Sequence, residues 1–376
     1  MVDDTLLDDF SRISAGDPGK MLEAVASSGA QMREAVATID RSLLAKIAES
    51  GKPRAVVVAG MGGSGVSGDV LLAVAGPFSS IPISVERTHH LPGWVSPLDM
   101  VIAVSCSGGT EETLSVASEA GRRGARLVTI GAKGSQLEEI SRQTSGAVHI
   151  SIDAKGRMPR ASLWTIATPL LMVAASLGVA EISDEDFEVT ADAMDEMSVQ
   201  FGPSVPLLEN SAKALGLAMA ESLPLLWGTG AIGRAVTGRF MAQLAENAKH
   251  PAVHGGLPEV GHNQIVTFDG IFARANSSDD IFRDRIDQPS ERRIHLVLMR
   301  DEAEHEAVTK RANVIDQIVA DRGIAMTEIW GKGKHRLTRI ATLVIPTDWA
   351  SVYTALALGI DPTPIEPIMQ LKAGLK

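Results

Sequence analysis

Short apolar runs alternate with amphipathic segments along the first half of the chain, a pattern typical of parallel strands joined by crossover helices. Strands are predicted in this half over residues 55–59, 81–86, 100–105, 126–130 and 147–152. Helices are predicted between them over residues 66–75, 110–122 and 135–144. The pattern therefore predicts a doubly wound α/β sheet.

The second half of the chain repeats this alternation. Its predicted strands cover residues 224–228, 294–299, 324–329 and 342–346, and its predicted helices cover residues 231–249, 302–321 and 347–358. Each half also has three glycines at the same spacing between an apolar strand and a helix, namely Gly60, Gly62 and Gly65, then Gly228, Gly230 and Gly233. We infer an ancient duplication of one α/β unit, with an N-terminal domain over residues 1–180 and a C-terminal domain over 181–376.

Two further stretches have unusual composition. Residues 161–180 carry no charge and approach the roughly 20 residues that span a bilayer. Pro169 lies within this stretch, Arg160 precedes it and an acidic run begins at Glu181, so we interpret it as a buried core helix. Residues 273–293 have dense mixed charge and few apolar side chains, which predicts a solvated loop to which we assign no function.

The composition of the chain excludes several classes of function. With 35 Lys and Arg against 46 Asp and Glu, the formal net charge is -11, so neither nucleic acid nor an anionic membrane is expected as a partner. Cys106 is the single cysteine, which excludes an intrachain disulfide and a zinc site built from cysteines. The sequence begins with an acidic segment rather than a basic one followed by an apolar run, so we expect a cytoplasmic protein.

The first glycine loop fits a dinucleotide-binding pattern. Gly60, Gly62 and Gly65 follow a strand, and Glu86 ends the next strand, where such proteins hold a ribose hydroxyl. An NAD-dependent oxidoreductase is therefore one hypothesis. Glycines at a strand-to-helix turn also serve tight packing alone, so the pattern by itself does not decide.

A second loop, SCSGGT, favours an anion ligand. It brings Ser105, Ser107 and Thr110 to the end of a strand and the start of a helix, where free N–H groups and the helix dipole attract negative charge. A helix N-cap needs only one such hydroxyl, and Thr110 alone would supply it. The three hydroxyls with Gly108 and Gly109 therefore indicate a pocket for a phosphate monoester.

The motifs of the whole chain resemble one family. The serine loop is similar to the phosphate loop of sugar isomerase (SIS) domains. The chain also carries, in order, the segments GMGGSGVSGD at 60–69, SCSGGTEETL at 105–114, PRASL at 159–163, AENAKHPA at 245–252, LPEVGHNQI at 257–265 and LK at 371–372. These resemble successive motifs of the bifunctional phosphoglucose/phosphomannose isomerases, which are built from two SIS domains. The resemblance implies two tandem doubly wound, Rossmann-like SIS domains.

The resemblance also implies residue roles for moving a carbonyl between C1 and C2 of a phosphosugar. Glu246 matches the base that carries the proton, and His262 matches the residue that opens the ring, assisted by Lys372. Arg160 matches the cation that stabilises the enediolate. The residues matching the phosphate site are Gly62, Gly63, Ser64, Ser105, Ser107 and Thr110.

The same scheme needs no cofactor and no metal ion, because arginine and lysine supply the positive charge. His250 and His254 invite a metal site, but their spacing lacks an acidic third ligand and Pro251 interrupts the helix between them. In the resembled family the active site is shared between two subunits, and the histidine is donated across the interface. A homodimer is therefore implied.

The chain departs from the family pattern next to the sugar site. Gly109 stands where the family usually has asparagine, and Gln264 stands where it usually has glutamate. His89 and His90 lie where the family more often has tyrosine. We expect an isomerase acting on glucose 6-phosphate, and on mannose 6-phosphate as a second substrate, through a cis-enediol. The departures keep a second hypothesis open, a non-catalytic SIS protein that binds a phosphosugar and regulates a partner.

Overall fold

The computed structural model describes residues 4–77, 79–273 and 293–375, which form two compact units. The N-terminal unit consists of Ala26–Glu196 with Gly333–Ala341, and the C-terminal unit consists of Met1–Val25, Met197–Lys332 and Thr342–Lys376. This division differs from a single boundary at residue 180, because short segments of each unit come from the other half of the chain. The charged segment 274–292 lies outside the described residues.

Up to residue 200 the chain forms nine α-helices and five strands among its described residues: α1 (Phe10–Gly16), α2 (Met21–Ala26), α3 (Ser28–Thr38), α4 (Arg41–Glu49), β1 (Val56–Ala59), α5 (Gly62–Ala75), β2 (Ile83–Glu86), β3 (Met100–Ser105), α6 (Glu111–Arg122), β4 (Arg126–Ala132), α7 (Gln136–Gln143), β5 (Val148–Ile152), α8 (Leu163–Ser176) and α9 (Asp184–Gln200). After residue 200 it forms α10 (Ser211–Glu221), β6 (Ser222–Thr229), α11 (Gly230–Ala248), β7 (Val253–Leu257), β8 (Arg293–Asp301), α12 (Glu306–Asp321), β9 (Ala325–Gly331), α13 (Arg336–Ala357) and α14 (Glu366–Gly374).

Both sheets are parallel, which confirms the predicted fold class. The N-terminal sheet has the order β2-β1-β3-β4-β5 and the C-terminal sheet the order β7-β6-β8-β9. Among the described residues, the C-terminal sheet has the strand order of β2-β1-β3-β4 and no counterpart of β5. In both sheets the strand order reverses beside the first strand of the unit, and ligands of open α/β sheets bind at that switch point, outside the carboxyl ends of the strands.

The two glycine loops are built alike. Gly62 and Gly230 begin their helices with φ of 51° and 60°, a left-handed backbone that favours glycine. A Cβ atom at Gly65 would lie 2.7 Å from the carbonyl oxygen of Gly60, and one at the equivalent Gly233 would lie 2.8 Å from the carbonyl carbon of Gly228. In both units the first turn of the helix therefore packs directly against the glycine at the end of the preceding strand.

The predicted strand over residues 342–346 is wrong, because these residues lie within α13. A short apolar run with β-branched residues fits a strand and a fully buried helix equally well, so periodicity alone does not separate them. Pro346 cannot donate a helical hydrogen bond, and the neighbouring Thr347 hydroxyl donates to the carbonyls of Leu343 (3.1 Å) and Val344 (2.8 Å). Strand β7 was not predicted, since its sequence VHGGL contains two glycines.

The apolar stretch at 161–180 forms α8, which is buried from Leu163 to Ala174, as the sequence predicts for a core helix. Among the described residues, α13 is the one helix whose length and composition would suit a membrane span, and 94% of its apolar window is buried inside the structure. Both helices are therefore buried inside the structure.

Two half-buried histidines make stability depend on pH. His149 Nδ1 lies 2.8 Å from the Thr129 hydroxyl, and His295 Nε2 lies 2.9 Å from the Thr327 hydroxyl. Burial lowers the pKa of both rings below 6.5. Below pH 6.5 the unfolded chain therefore binds protons that the folded chain does not, and the free energy of unfolding falls as pH falls.

We expect each histidine to contribute a loss of at most about 1.4 kcal/mol per pH unit below its unfolded pKa. Urea unfolding between pH 7.5 and 5.5 measures this, and the doubly substituted His149→Gln, His295→Gln chain should show a flatter profile. The exposed His89 gives the control substitution, His89→Gln, which should leave the profile unchanged. Equal slopes for the double variant and the unsubstituted chain would remove these two rings as the cause.

Candidate functional site

The serine loop, residues 105–110, joins the buried strand β3 to α6 at the switch point of the N-terminal sheet. Ser105 is 1% exposed, and its hydroxyl lies 2.9 Å from that of Thr110. Ser107 is exposed, and its hydroxyl accepts the N–H of Gly109 at 3.3 Å. Gly108 has φ 66°, and a Cβ there would lie 2.1 Å from the Ser135 hydroxyl, so a glycine is required for this turn.

Thr110 occupies the N-cap position of α6, but its side chain makes no capping hydrogen bond. Its hydroxyl contacts Ser105 instead, so the Thr110 side chain leaves the N–H groups of the first helical turn available as hydrogen-bond donors. The simple N-cap interpretation of Thr110 predicts that its hydroxyl oxygen accepts a hydrogen bond from those N–H groups, and no such bond is present. The arrangement of hydroxyls and helix N-terminus suits an anion.

The glycine loop meets the serine loop through Ser64. This residue lies in the first turn of α5, is 5% exposed, and its hydroxyl accepts the N–H of Cys106 at 3.2 Å. A serine hydroxyl that accepts one hydrogen bond still has its own hydrogen to donate. Met61 at the N-cap of α5 makes no side-chain cap. Gly62, Gly63 and the hydroxyls of both loops thus lie around one end of the N-terminal sheet.

Arg160 lies beside the same helix start. It belongs to the short 3-10 helix Pro159–Ala161 and is 3% exposed. A Cβ at Gly63 would lie 3.0 Å from the carbonyl oxygen of Pro159 and 3.7 Å from the backbone nitrogen of Arg160. The small residue at position 63 therefore allows the PRASL segment to pack against α5. Within the N-terminal unit the structure brings together Arg160 and all six predicted phosphate-site residues.

Glu246 lies two residues before the end of α11 in the C-terminal unit and is half-buried. The helix ends at Ala248, and the Lys249 ammonium donates to the carbonyls of Glu246 (2.9 Å) and Asn247 (3.1 Å). A cation at a helix C-terminus is favoured by the helix dipole. Lys249 therefore holds the last turn that carries Glu246, a role that the sequence analysis did not assign.

A buried polar network anchors α11 to α13 on the side next to Glu246. Arg239 donates twice to the carboxylate of Asp348, at 2.9 and 2.6 Å, and Gln243 donates to it at 3.3 Å. One turn further, Asn247 donates to the Ser351 hydroxyl at 2.9 Å. Burial raises the pKa of Asp348, while the Arg239 guanidinium and the Gln243 amide oppose that rise. The spacing of residues 239, 243 and 247 is the sequence signal for this shared helix face.

His262 ends the 3-10 helix Glu259–His262 and is exposed. It lines a cavity of about 380 Å³ whose walls include Leu257, Ile265, Lys310 and Ile318. An exposed imidazole at the edge of a cavity can exchange protons with a ligand or with water.

The departure at Gln264 has a structural reason in this chain. Its amide oxygen accepts the indole N–H of the fully buried Trp227 at 2.9 Å, and its amide nitrogen donates to the carbonyl of His254 at 3.3 Å. A glutamate carboxylate accepts but does not donate, so it would leave the His254 carbonyl without this bond. Both the oxygen and the nitrogen of the Gln264 amide are thus hydrogen-bonded within the C-terminal unit.

Gly109, the other departure from the family pattern, leaves open space beside the serine loop. A Cβ there would meet the Gln136 side chain at 3.8 Å and the Ser107 hydroxyl at 4.0 Å, which is ordinary contact. Its backbone does not require glycine. The chain therefore lacks a side chain beside Ser107 where its fold would accept one.

The remaining predicted residues are Lys372 and the histidine pair considered for a metal site. Lys372 is exposed on α14. His250 is 3% exposed, its Nδ1 lies 2.9 Å from the Pro251 carbonyl, and α11 ends before it. No cluster of three or more potential metal ligands occurs within residues 4–77, 79–273 and 293–375. The phosphate-site residues with Arg160 belong to the N-terminal unit, and Glu246, His262 and Lys372 belong to the C-terminal unit.

Residues 208–375 match the family model of the bacterial phospho-glucose isomerase C-terminal SIS domain. The chain is 30% identical, over 84% of its length and 88% of the relative, to a bifunctional phosphoglucose/phosphomannose isomerase of Caldicellulosiruptor bescii. It is 28% identical, over 86% of its length and 91% of the relative, to a protein of the same name from Aquifex aeolicus.

A solved structure supports the fold. The tagatose-6-phosphate ketose/aldose isomerase of Escherichia coli superposes with a TM-score of 0.68 at 14% identity, covering 92% of this chain and 95% of that one. At this identity the likeness is one of fold. Sequence and fold comparisons therefore agree on a chain of two SIS domains.

Proposed function

The chain belongs to the family of bifunctional phosphoglucose/phosphomannose isomerases, and we propose that it interconverts glucose 6-phosphate and mannose 6-phosphate with fructose 6-phosphate. The observation that carries this proposal is the serine loop. Its Thr110 hydroxyl contacts Ser105 and does not cap α6, so hydroxyls and helix N–H groups both remain for a phosphate. Relatives named as isomerases supply the reaction class.

The chemistry divides among four residues. His262, assisted by Lys372 at the ring oxygen, opens the pyranose by moving the C1 hydroxyl proton to the ring oxygen. Glu246 removes the proton from C2 and returns it to C1, while the C1 carbonyl oxygen and the C2 hydroxyl exchange a proton through the cis-enediol. Arg160 stabilises the negative charge on the enediolate oxygens. The reaction needs no oxidant or reductant, because C1 is reduced and C2 is oxidised within the same sugar.

A glutamate suits the base only where its carboxylate is partly removed from water. The half-buried position of Glu246, on a helix anchored by Arg239 and Asp348, supports this role. The buried Arg160 beside Gly63 supports a cation held in a fixed place. Both features meet the requirement that catalytic groups be oriented before the reaction begins.

We also propose a cytoplasmic homodimer that works without a cofactor or metal ion. The exposure of His262 at a cavity of about 380 Å³ supports the dimer, since a ring-opening group on an open surface needs a second wall to exclude water. The single cysteine, Cys106, supports a reducing compartment.

A non-catalytic phosphosugar-binding protein is the second candidate. The observation in its favour is Gly109, which leaves empty space beside Ser107 where the resembled family carries asparagine. Such a protein would bind a sugar phosphate through the serine loop and release it unchanged.

Steady-state turnover tests the proposal. We expect the purified chain to form fructose 6-phosphate from glucose 6-phosphate and from mannose 6-phosphate in separate reactions, without added nucleotide or metal ion. The midpoint of thermal unfolding is measured in parallel, with and without each sugar phosphate. Stabilisation without turnover would establish the binding protein, and turnover that requires NAD would establish the oxidoreductase that Gly60, Gly62, Gly65 and Glu86 suggest.

A further inference from the structure

A phosphate dianion at the serine loop faces unfavourable charge. The chain has a formal net charge of -11, and Glu111 and Glu112 occupy the first turn of α6, immediately after the loop. Hydroxyls and helix N–H groups offer only partial positive charges. Binding a dianion here therefore calls for a full positive charge close to the loop, and arginine is the side chain best suited to phosphate.

Arg157 lies in the segment that returns from β5 toward α5. Its backbone N–H closes a turn onto the Ala154 carbonyl at 2.9 Å, and the chain continues through Met158 into the 3-10 helix at Pro159. That helix packs against Gly63, where a Cβ would lie 3.0 Å from the Pro159 carbonyl oxygen. The close approach fixes this segment beside the start of α5.

The charge of Arg157 acts on the serine loop itself. Burial raises the pKa of the Cys106 thiol, and the positive charge of the Arg157 guanidinium opposes that rise. The guanidinium therefore interacts electrostatically with the residue between Ser105 and Ser107. One terminal nitrogen of the guanidinium donates to the Thr165 hydroxyl at 3.1 Å. Its Nε–H is buried and has no hydrogen-bond partner in the described part of the chain.

A buried guanidinium N–H without an acceptor is destabilising, and beside the serine loop this Nε–H is available for an acceptor that a ligand supplies. Nearby arginines have other partners. Arg87 forms an ion pair with Asp69 at 2.5 Å, and Arg160 has the proposed role at the enediolate. We propose that Arg157 binds the phosphate group of the substrate and supplies the positive charge that the serine loop lacks.

This inference rests on the proposed function, because it names the partner of the substrate's phosphate. Its test is Arg157→Gln. We expect the KM for glucose 6-phosphate to rise about 10- to 100-fold, the range of one charge-assisted hydrogen bond, with kcat within about twofold. The affinity for inorganic phosphate, measured by titration calorimetry without turnover, should fall by a similar factor.

Two further variants control this test. Arg157→Lys keeps the charge and should recover part of the phosphate affinity, which a purely structural role would not predict. Arg122→Gln removes an exposed arginine from the far end of α6 and should change neither KM nor phosphate affinity.

The outcomes separate the two proposals. Unchanged KM and unchanged phosphate affinity in folded Arg157→Gln would overturn the inference and leave the isomerase intact. A loss confined to kcat, with wild-type phosphate affinity, would also overturn it. Phosphate binding that depends on Arg157 in a chain without isomerase turnover would support the inference and contradict the proposed function.

Discussion

Replacing Glu246 by glutamine is expected to reduce kcat about 10²- to 10⁴-fold, the usual contribution of a positioned general base. The amide has nearly the shape of the carboxylate but cannot take the proton from C2. Because Glu246 is half-buried near the end of α11 and its own carbonyl accepts from Lys249, the substitution leaves the helix end intact. Steady-state turnover with glucose 6-phosphate measures the loss.

The control is a glutamate on the same unit outside the proposed chemistry. Glu221 is exposed at the end of α10, and Glu221→Gln should keep full turnover. The unfolding midpoint of Glu246→Gln should stay within about 2 °C of the unsubstituted chain, because glutamine keeps the size of glutamate and leaves the backbone bonds of the helix end in place. A Glu246→Gln chain that keeps its turnover would show that another group carries the proton.

The second large effect is on stability. Arg239→Met leaves the carboxylate of Asp348 buried without its cation, and we expect the free energy of unfolding to fall by about 3–5 kcal/mol. Both side chains of this pair are at most 4% exposed, so water does not replace the lost partner. Urea unfolding followed by tryptophan fluorescence reports on this region, since Trp349 adjoins Asp348 in α13.

Two comparisons identify the cause of that loss. Lys310→Met removes an exposed ion pair with Glu306 on the surface of the same unit, and it should cost at most about 1 kcal/mol. The double variant Arg239→Met, Asp348→Leu removes both buried charges and should recover much of the stability. A single variant Arg239→Met as stable as the Lys310→Met chain would contradict the importance of the buried pair.

The parallel sheets follow from signals that are strong in one sequence. β1, β3 and β6 are apolar runs that end at a glycine or a hydroxyl residue, and a helix follows each of them. The matched glycines also predicted the duplication. Strand β7 was missed because VHGGL contains two glycines. The helix predicted over 347–358 lies in α13, but the preceding TLVIP was predicted as a strand because it carries β-branched residues inside the helix. Tertiary packing, not local preference, decides such segments.

The candidate site shows the same division. A strand-to-helix loop with several hydroxyls was sufficient to predict that Ser105, Ser107 and Thr110 lie together at one edge of the sheet, since parallel strands end at one edge. The family resemblance was needed for Glu246 and His262, because a helical glutamate and an isolated histidine are usually structural. Arg157 and the pair of Arg239 with Asp348 were missed, since each depends on contacts between residues distant in sequence.

Isomerisation in deuterium oxide tests the central claim most directly. The purified chain is incubated with glucose 6-phosphate for many turnovers, and the products are read by NMR. A carboxylate base that exchanges its proton with solvent predicts fructose 6-phosphate with deuterium at C1 and recovered glucose 6-phosphate with deuterium at C2. Sugar phosphate that stays unchanged, or that equilibrates without taking up deuterium, would contradict an enediol isomerase that uses Glu246.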